Sequence, residues 1–450
     1  MKILTFIHSF NPGGTERVAL RLVRDWRARG IDAPLFVGRP EGVMQGDVGK
    51  DLDFESPPQP RFGSAWWETV WMIYTLPGAI RRLRPDVVFC PGNNLTVVAF
   101  FMKILLGRRC PPFIVKISNE LEWRHKPAWA RFWYHVWLWL QGRTFDCAVA
   151  MEEAMVPEIE RYLHLPATRV TVIPDPALTG ELLDALAALP RLPWQPGQPR
   201  RFVAVGRLVR QKNLPLMLDA FARGAGPEDR LDLIGEGALL PTLEAQVRAL
   251  GLGERVRFVG YRAEPALDLG GYHALLLSSD FEGVPAVLLE ALAAGIAIIA
   301  TDCSASVASL LGRDRFGAHG LEENRFGTLV PPRDCAALAA AIAALVPGTQ
   351  DRAGMFAQVR RFTTQAAGPA YLRQAAQIAG IAANGHAVAY APLKAGDMFN
   401  GDGFHGEALN GQAFHAGGVP AERPLGAAAE RPFGAMAAIT DVEPIHAPVI

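Results

Sequence analysis

Residues 278–295 read SSDFEGVPAVLLEALAAG and run straight into IAIIAT at 296–301. Between Gly283 and Thr301 the only formally charged side chain is Glu290, set among Val, Leu, Ala and Ile. Pro285 suits a first helical position, where its missing N–H costs nothing, and Gly295 suits the place just past a helix end. The stretch therefore predicts a loop, a helix over 285–294 and a buried strand over 296–300. Glu282 then lies at the helix start and Glu290 roughly two turns deeper. A helix start offers free N–H groups and the positive end of the macrodipole, a seat for an anion. Two acids beside such a seat suggest a ligand that carries both phosphate and hydroxyl groups. The plainer alternative is that Glu282 caps the helix and Glu290 meets a basic residue of a neighbouring element.

The same strand-and-helix rhythm extends in both directions. Upstream come RFVAVG (201–206), a helix over 213–223, LDLIG (231–235), a helix over 238–250, RVRFVG (255–260) and ALLLSS (274–279); downstream come GTLV (327–330) and a helix over 334–346. The first third of the chain repeats the pattern. KILTFI (2–7) leads through the turn-rich HSFNPGG into a helix ending at Gly30, where Val18, Leu22 and Trp26 recur at i, i+4 and i+8. APLFV (33–37), DVVFC (86–90), PFIVKI (112–117), CAVA (147–150) and RVTVIP (169–174) follow, with helices near 66–83, 94–106, 127–142 and 153–164 between them. Short apolar strands alternating with helices mean parallel sheets covered on both faces. The expected fold class is α/β, with two Rossmann-like doubly wound domains facing a cleft. The first spans 1–178, a Pro-rich linker 179–200, the second domain 201–365 and a C-terminal helix 366–382. Residues 383–450 are rich in Gly, Ala and Pro without periodicity, the composition of a disordered tail. Ligands of such folds bind at the carboxyl ends of the strands, here in the cleft.

Composition narrows the partners. In 450 residues Lys plus Arg equals Asp plus Glu at 45 each, which argues against a broad nucleic-acid footprint. Five scattered cysteines without C-x-x-C spacing fit reduced thiols rather than a zinc site or a disulfide framework. The N-terminal stretch lacks the charged region, apolar core and cleavage site of a signal peptide, and no apolar run reaches bilayer length. The expectation is a cytoplasmic protein, soluble or peripheral at the inner face of the membrane. Nine of the ten tryptophans lie before residue 140. Trp66, Trp67 and Trp71, then Trp129, Trp133, Trp137 and Trp139, sit in two helices interleaved with Arg61, Arg124, Lys126 and Arg131. Helical spacing fits rings packing the first domain's core; rings with flanking cations also fit a contact with a membrane interface.

Two glycine turns stand out. Gly13-Gly14 follows the first strand and precedes a helix, so its backbone can approach a phosphate or a sugar closely. A full G-x-G-x-x-G is missing there, which weakens the case for a dinucleotide-dependent dehydrogenase. Gly206-Arg207 ends the second domain's first strand, and Lys212-Asn213 opens the next helix. Two cations at a strand end and a helix start are what a diphosphate leaving group needs as its charge develops. Taken alone, Arg207 and Lys212 read equally well as surface charges.

In order along the chain, PGGTERVALRL, VGRLVRQKNLPLMLDAFA, LIGEGALLPTLE, VRFVGY, SSDFEGVPAVLLEALAAGIAIIATD and FGTLVPPRD make the sequence resemble glycosyltransferase family 4, retaining sugar transferases of the GT-B fold. The resemblance runs from Met1 to about Gly380 and is strongest from Phe202 to Leu345. Glu282 and Glu290, with seven residues between them, match the family's paired glutamates. The resemblance implies that Arg207 and Lys212 hold the donor's diphosphate, Glu290 binds the ribose hydroxyls and Glu282 lies near the transferred sugar. It further implies that Gly206, Gly283, Val284 and Pro285 shape the donor turns, and that Gly14 belongs to the loop that closes on the diphosphate. The leaving phosphate is expected to take the acceptor proton, with neither a dedicated base nor a bound metal or other cofactor. The implied partners are a nucleotide-diphosphate sugar as donor and a glycan or lipid-linked acceptor, in cell-surface polysaccharide or glycolipid synthesis.

The chain departs from the family pattern at two places. A first-domain His after the strand matching PFIVKI is replaced by Ser118-Asn119-Glu120, where Asn119 is the expected substitute. The turn often written Pro-Asn-Pro reads Pro174-Asp175-Pro176. Two other readings stay open: a catalytically silent GT-B subunit that binds a nucleotide sugar, and a nucleotide-sugar epimerase.

Overall fold

A computed structural model describes residues 1–380, apart from 12, 47, 48, 50, 61, 62, 66, 123–126, 314–316, 318 and 319. The low-complexity tail, and Arg61, Trp66, Arg124 and Lys126 of the aromatic helices, lie outside the described residues. The first half builds β1 (Ile3–Ser9), α1 (Gly14–Ala28), β2 (Leu35–Arg39), α2 (Glu68–Leu83), β3 (Val87–Cys90), α3 (Thr96–Leu106), β4 (Phe113–Ile117), α4 (Ala128–Gly142), β5 (Cys147–Ala150), α5 (Val156–Leu163) and β6 (Val170–Val172). After α6 (Gly180–Ala188) the second half builds β7 (Arg201–Val205), α7 (Leu214–Gly224), β8 (Arg230–Ile234), α8 (Leu240–Ala249), β9 (Val256–Gly260), β10 (Ala274–Leu277), α9 (Ala286–Ala294) and β11 (Ala297–Thr301). It closes with α10 (Ala305–Leu310), β12 (Glu322–Asn324), β13 (Gly327–Val330), α11 (Cys335–Ala344), α12 (Arg352–Val359) and α13 (Thr364–Ile378).

The strands form two sheets. The six-stranded sheet runs β2-β1-β3-β4-β5-β6, all parallel, and the seven-stranded sheet runs β12-β13-β11-β10-β7-β8-β9, parallel but for β12. Strands covered on both faces are apolar along their whole length, and every residue of β1 and of β11 is buried. In each sheet the strand order reverses beside the first strand of its half, between β1 and β3 and between β7 and β10. Such a switch point opens a crevice at the carboxyl ends of the strands. In the second sheet the loops leaving it are those that carry Gly206-Arg207 and residues 278–283.

Residues 179–200 are not an extended linker throughout. Thr179 accepts from the Leu182 N–H and starts α6, which packs on α9; the proline-rich part comes only after it. The chain crosses between the halves a second time beside the first crossing. Leu178 and Thr363 pair as an isolated parallel bridge, with the Leu178 N–H donating to the Phe362 carbonyl at 3.1 Å. α13 thereby returns to the first half, where Tyr371 packs edge-on against Trp26 and Phe89. Among the described residues no helix is long and apolar enough to cross a membrane.

Among the described residues no tryptophan of the two aromatic helices is fully buried: Trp67, Trp71, Trp137 and Trp139 are half-buried and Trp129 and Trp133 face outward. Trp26 of α1 is buried, whereas Trp129 and Trp133 of α4 are 71% and 64% exposed and Tyr74 of α2 is 77% exposed. The buried side of this layer is supplied by Met72, Leu76, Val98, Met102 and Leu138.

Candidate donor site at the head of α9

α9 begins at Ala286, one residue later than its sequence suggests. Pro285 takes the N-cap place, with φ −72° and ψ 118°, and its carbonyl accepts from the Leu288 N–H. Extended backbone at this proline explains the shift, since an N-cap is not yet helical. Gly295 ends the helix with φ +66°, a left-handed turn that spares a side chain its usual clash.

The loop leaving β10 is stitched to the turn leaving β7. The Ser278 hydroxyl donates to the carbonyls of Lys212 and Asn213 at 2.8 and 3.1 Å. The Asp280 N–H donates to the Gln211 carbonyl, and the Gln211 amide donates to the Phe281 carbonyl at 2.9 Å. Inside this lacing Lys212 Nζ lies 2.6 Å from Glu282 Oε1, and the Ser279 hydroxyl donates to the same oxygen at 2.6 Å. The Thr301 hydroxyl in turn donates to the Ser279 carbonyl. Glu282 is thus held by a cation and a hydroxyl from two elements at the carboxyl edge of the sheet.

Close backbone approaches shape the floor. Gly206 has φ +151° and Gly235 φ +140°, and a Cβ on Gly235 would lie 2.0 Å from the Gly206 carbonyl oxygen. Gly206 also faces Lys212, whose Cε would be 3.2 Å from an added Cβ. Arg207, next in the chain, is exposed. Gly206, Arg207, Lys212, Ser278 and Ser279 line one hollow.

The first half of the chain meets this site at two points. A Cβ on Gly283 would fall 2.0 Å from the Ser118 carbonyl oxygen, so the walls touch there without room for a side chain. Asn119 follows Ser118, and its carbonyl accepts from Asn93 Nδ2 at 3.4 Å. At the second point α1 presents its first turns. Burial raises the pKa of Glu290, and the charges of Arg17 and Arg21 on α1 pull it back down. Burial, with the like charge of Arg17, brings Arg21 down to about 10. Burial also raises the pKa of Glu16, which Asn94 contacts at 3.5 Å, while the charges of Arg207 and Lys116 pull it down.

The sequence-derived set therefore falls into two groups. Gly206, Arg207, Lys212, Glu282, Gly283, Val284 and Pro285 gather at one edge of the second sheet, and Glu290 is buried behind them facing α1. Gly14 starts α1, and Asn119 stands beside the Ser118–Gly283 contact. Sequence reasoning missed Ser279, Glu16, Arg17 and Arg21. The two arginines are four residues apart on one helix after a glycine loop, a spacing that fits a solvent face as well as a face turned to the other half. Sequence reasoning also left Asp175 without a partner. Its carboxylate meets Lys116 Nζ of β4 at 2.6 Å, with the two side chains 7% and 1% exposed. The departure at the Pro-Asp-Pro turn is thus matched by a buried lysine.

Two family profiles match the chain: Glycosyltransferase Family 4 over residues 12–177 and Glycosyl transferases group 1 over 199–347. A 4-alpha-N-acetylgalactosaminyltransferase of Campylobacter jejuni, acting on a diphospho-undecaprenol-linked sugar by its name, is 35% identical over 115 residues, 26% of this chain and 31% of that protein. The lipopolysaccharide 1,6-galactosyltransferase of Salmonella typhimurium is 38% identical over 117 residues, 25% of this chain and 32% of that protein. The matched segments thus span about a third of these curated relatives. Among solved structures, Anabaena Alr3699/HepE with UDP and glucose superposes with a TM-score of 0.62 at 19% identity, covering 83% of this chain and 99% of that one. The lipopolysaccharide outer core galactosyltransferase WaaB, in its apo form, gives 0.59 at 20% identity over 83% and 99%. Both likenesses show the GT-B fold, and with the two profiles covering both halves, the chain belongs to the group 1 glycosyltransferases of family 4.

Proposed function

We propose that the protein transfers a sugar from a nucleotide-diphosphate donor to a glycan or lipid-linked acceptor with retention at the anomeric carbon. The observation that carries this is the Lys212–Glu282–Ser279 cluster at the switch point of the second sheet, beside the glycine floor and the exposed Arg207. In this reading the diphosphate lies between Arg207, Lys212 and the free N–H groups at the head of α9. Glu290 accepts from the ribose hydroxyls, and Glu282 holds both Lys212 and a hydroxyl of the transferred sugar. The bond from the anomeric carbon to the phosphate oxygen breaks, and the acceptor oxygen bonds to that carbon on the same face. The acceptor proton passes to the departing phosphate oxygen. The positive side chains neutralise the charge that develops there, the part a metal plays in other transferases. Gly14 closes the first-domain side, and Asn119 takes the place beside the sugar.

The acceptor class follows from the surface as well as from relatives whose names specify lipopolysaccharide or a lipid-linked sugar. Exposed Tyr74, Trp129, Phe132 and Trp133 make an outward aromatic face, which suits a peripheral contact with the inner face of a membrane. A panel of UDP, GDP and ADP sugars with lipid-linked and soluble glycan acceptors tests the reading. One donor is expected to release its nucleoside diphosphate and yield a glycoside with the donor's anomeric configuration. Donor binding without turnover across the panel contradicts it in favour of a silent subunit, and epimerisation without release contradicts it in favour of an epimerase.

A further inference from the structure

The helical layer of the first half ends in a feature that sugar transfer does not use. Between the C-terminal ends of α2 and α3, at the edge of the sheet opposite the cleft, lies an open groove of roughly 850 Å³. Arg81, Arg84, Arg108 and Arg109 line it, with Asp86 and Leu105. All four arginines are exposed, and none has an ion pair, side-chain hydrogen bond or ring contact among the described residues. Asp86, the one acid of the lining, already accepts from the backbone N–H of Lys2 at 2.7 Å. A cation in the last turn of a helix is favoured by the helix dipole, which accounts for Arg81. It does not account for four around one hollow, because like charges within a Debye length repel one another. The set is matched by a ligand with concentrated negative charge, and guanidinium forks suit phosphate.

The surroundings decide what carries that phosphate. The outer stripe of α2 runs through Trp67, Trp71 and Tyr74 to Arg81, and that of α3 through Phe101 and Ile104 to Arg108, each at helical spacing. α2 packs against α3, and Phe100 of α3 packs on Trp137 of α4 with ring centroids 4.8 Å apart, so the three helices form one layer. Beside the groove, Ile104 and Leu105 are 57% and 51% exposed. Apolar side chains level with an arginine rim match the boundary between phosphate headgroups and acyl chains. We propose that this groove seats the headgroup phosphate of an anionic phospholipid, giving the membrane contact a preference for negatively charged bilayers. The inference rests on the membrane reading above.

The test is sedimentation of the full chain with phosphatidylcholine vesicles, with and without phosphatidylglycerol, at low and high salt. Anionic vesicles are expected to bind at least about tenfold more tightly, and salt to erase the difference. The variant Arg81→Ser/Arg84→Ser/Arg108→Ser/Arg109→Ser is expected to lose on the order of a hundredfold for anionic vesicles and little for neutral ones. Its melting curve and its activity on a soluble acceptor should match those of the parent. Arg223→Ser/Arg248→Ser, on the second domain, is expected to change nothing. Equal binding to both vesicle types overturns the groove while sparing the aromatic contact; no binding to either overturns both. Calorimetric binding of inorganic pyrophosphate that the four arginines control, without anionic-vesicle preference, overturns the lipid assignment in favour of a soluble anion.

Discussion

Two lysine–carboxylate pairs stand at the carboxyl edges of the two sheets with the same 2.6 Å separation, Lys116 with Asp175 and Lys212 with Glu282. Their surroundings differ. The two acids are equally buried, 7% exposed for Asp175 and 8% for Glu282, but Lys116 is 1% exposed whereas Lys212 keeps 18% and shares its acid with Ser279. Ionic attraction hardly repays the desolvation of a fully buried pair, so the first pair matters chiefly because neither partner can be removed alone. The second pair is open on one side, where its cation can answer a ligand. On the proposed function, the same chemistry at the same distance is structural in one half of the chain and binds the donor in the other, with the solvent access of the lysine as the difference.

Removing one partner from each pair separates the two roles. Lys116→Ala leaves Asp175 buried and uncompensated, and should cost about 3–5 kcal/mol of stability, read by denaturant unfolding. Lys116→Met combined with Asp175→Asn should recover much of that loss, because no charge is then stranded. A loss near zero for Lys116→Ala would break the comparison at its structural end. Lys212→Ala should cost less stability than Lys116→Ala, because Glu282, though buried, keeps the Ser279 hydroxyl and loses a partner that was itself partly solvated. Its turnover should fall by about 10²–10³-fold, the usual effect of losing one preorganised group that stabilises developing charge.

A smaller effect sharpens the contrast through Glu290. Burial raises its pKa against the pull of Arg17 and Arg21, so it takes up its proton at a higher pH than an exposed glutamate does. Donor affinity, which needs the charged form for the ribose hydroxyls, should weaken as pH falls through that raised value. Glu290→Gln should flatten the profile and weaken donor binding at neutral pH by about ten- to a hundredfold. For the empty protein the sign is opposite. A carboxyl with a raised folded-state pKa contributes stability at acid pH that is lost as pH climbs through that pKa, so Glu290→Gln should remove this drop. Donor affinity in Glu290→Gln that keeps the parent's pH profile would sink the role given to Glu290.

How far the sequence revealed all this depends on the distance between partners. Strands such as Ala297–Thr301 and helices such as Ala286–Ala294 declare themselves, since burial on both faces and cap residues are local properties. The α6 helix was hidden because the prolines after it dominated the composition of residues 179–200. The donor-side group was legible because Glu282 through Glu290 occupy one short segment with its own helix start. Lys116 and Asp175 lie 59 residues apart in different elements, and only the fold brings them together. Arg17 and Arg21 face Glu290 from the other half of the chain, so their spacing could not distinguish a solvent face from an interdomain one. The aromatic helices were undecided for a related reason: helical spacing identifies a stripe, but not whether it turns inward.

The central claim is that the open pair in the second half belongs to a nucleotide-sugar donor site. Calorimetric titration of UDP, GDP and ADP into the parent and into Lys212→Ala tests it most directly. The account expects one nucleoside diphosphate to bind the parent and to lose most of its affinity in folded Lys212→Ala. Binding that is unchanged by Lys212→Ala, or no binding of any of the three to the folded parent, would contradict it.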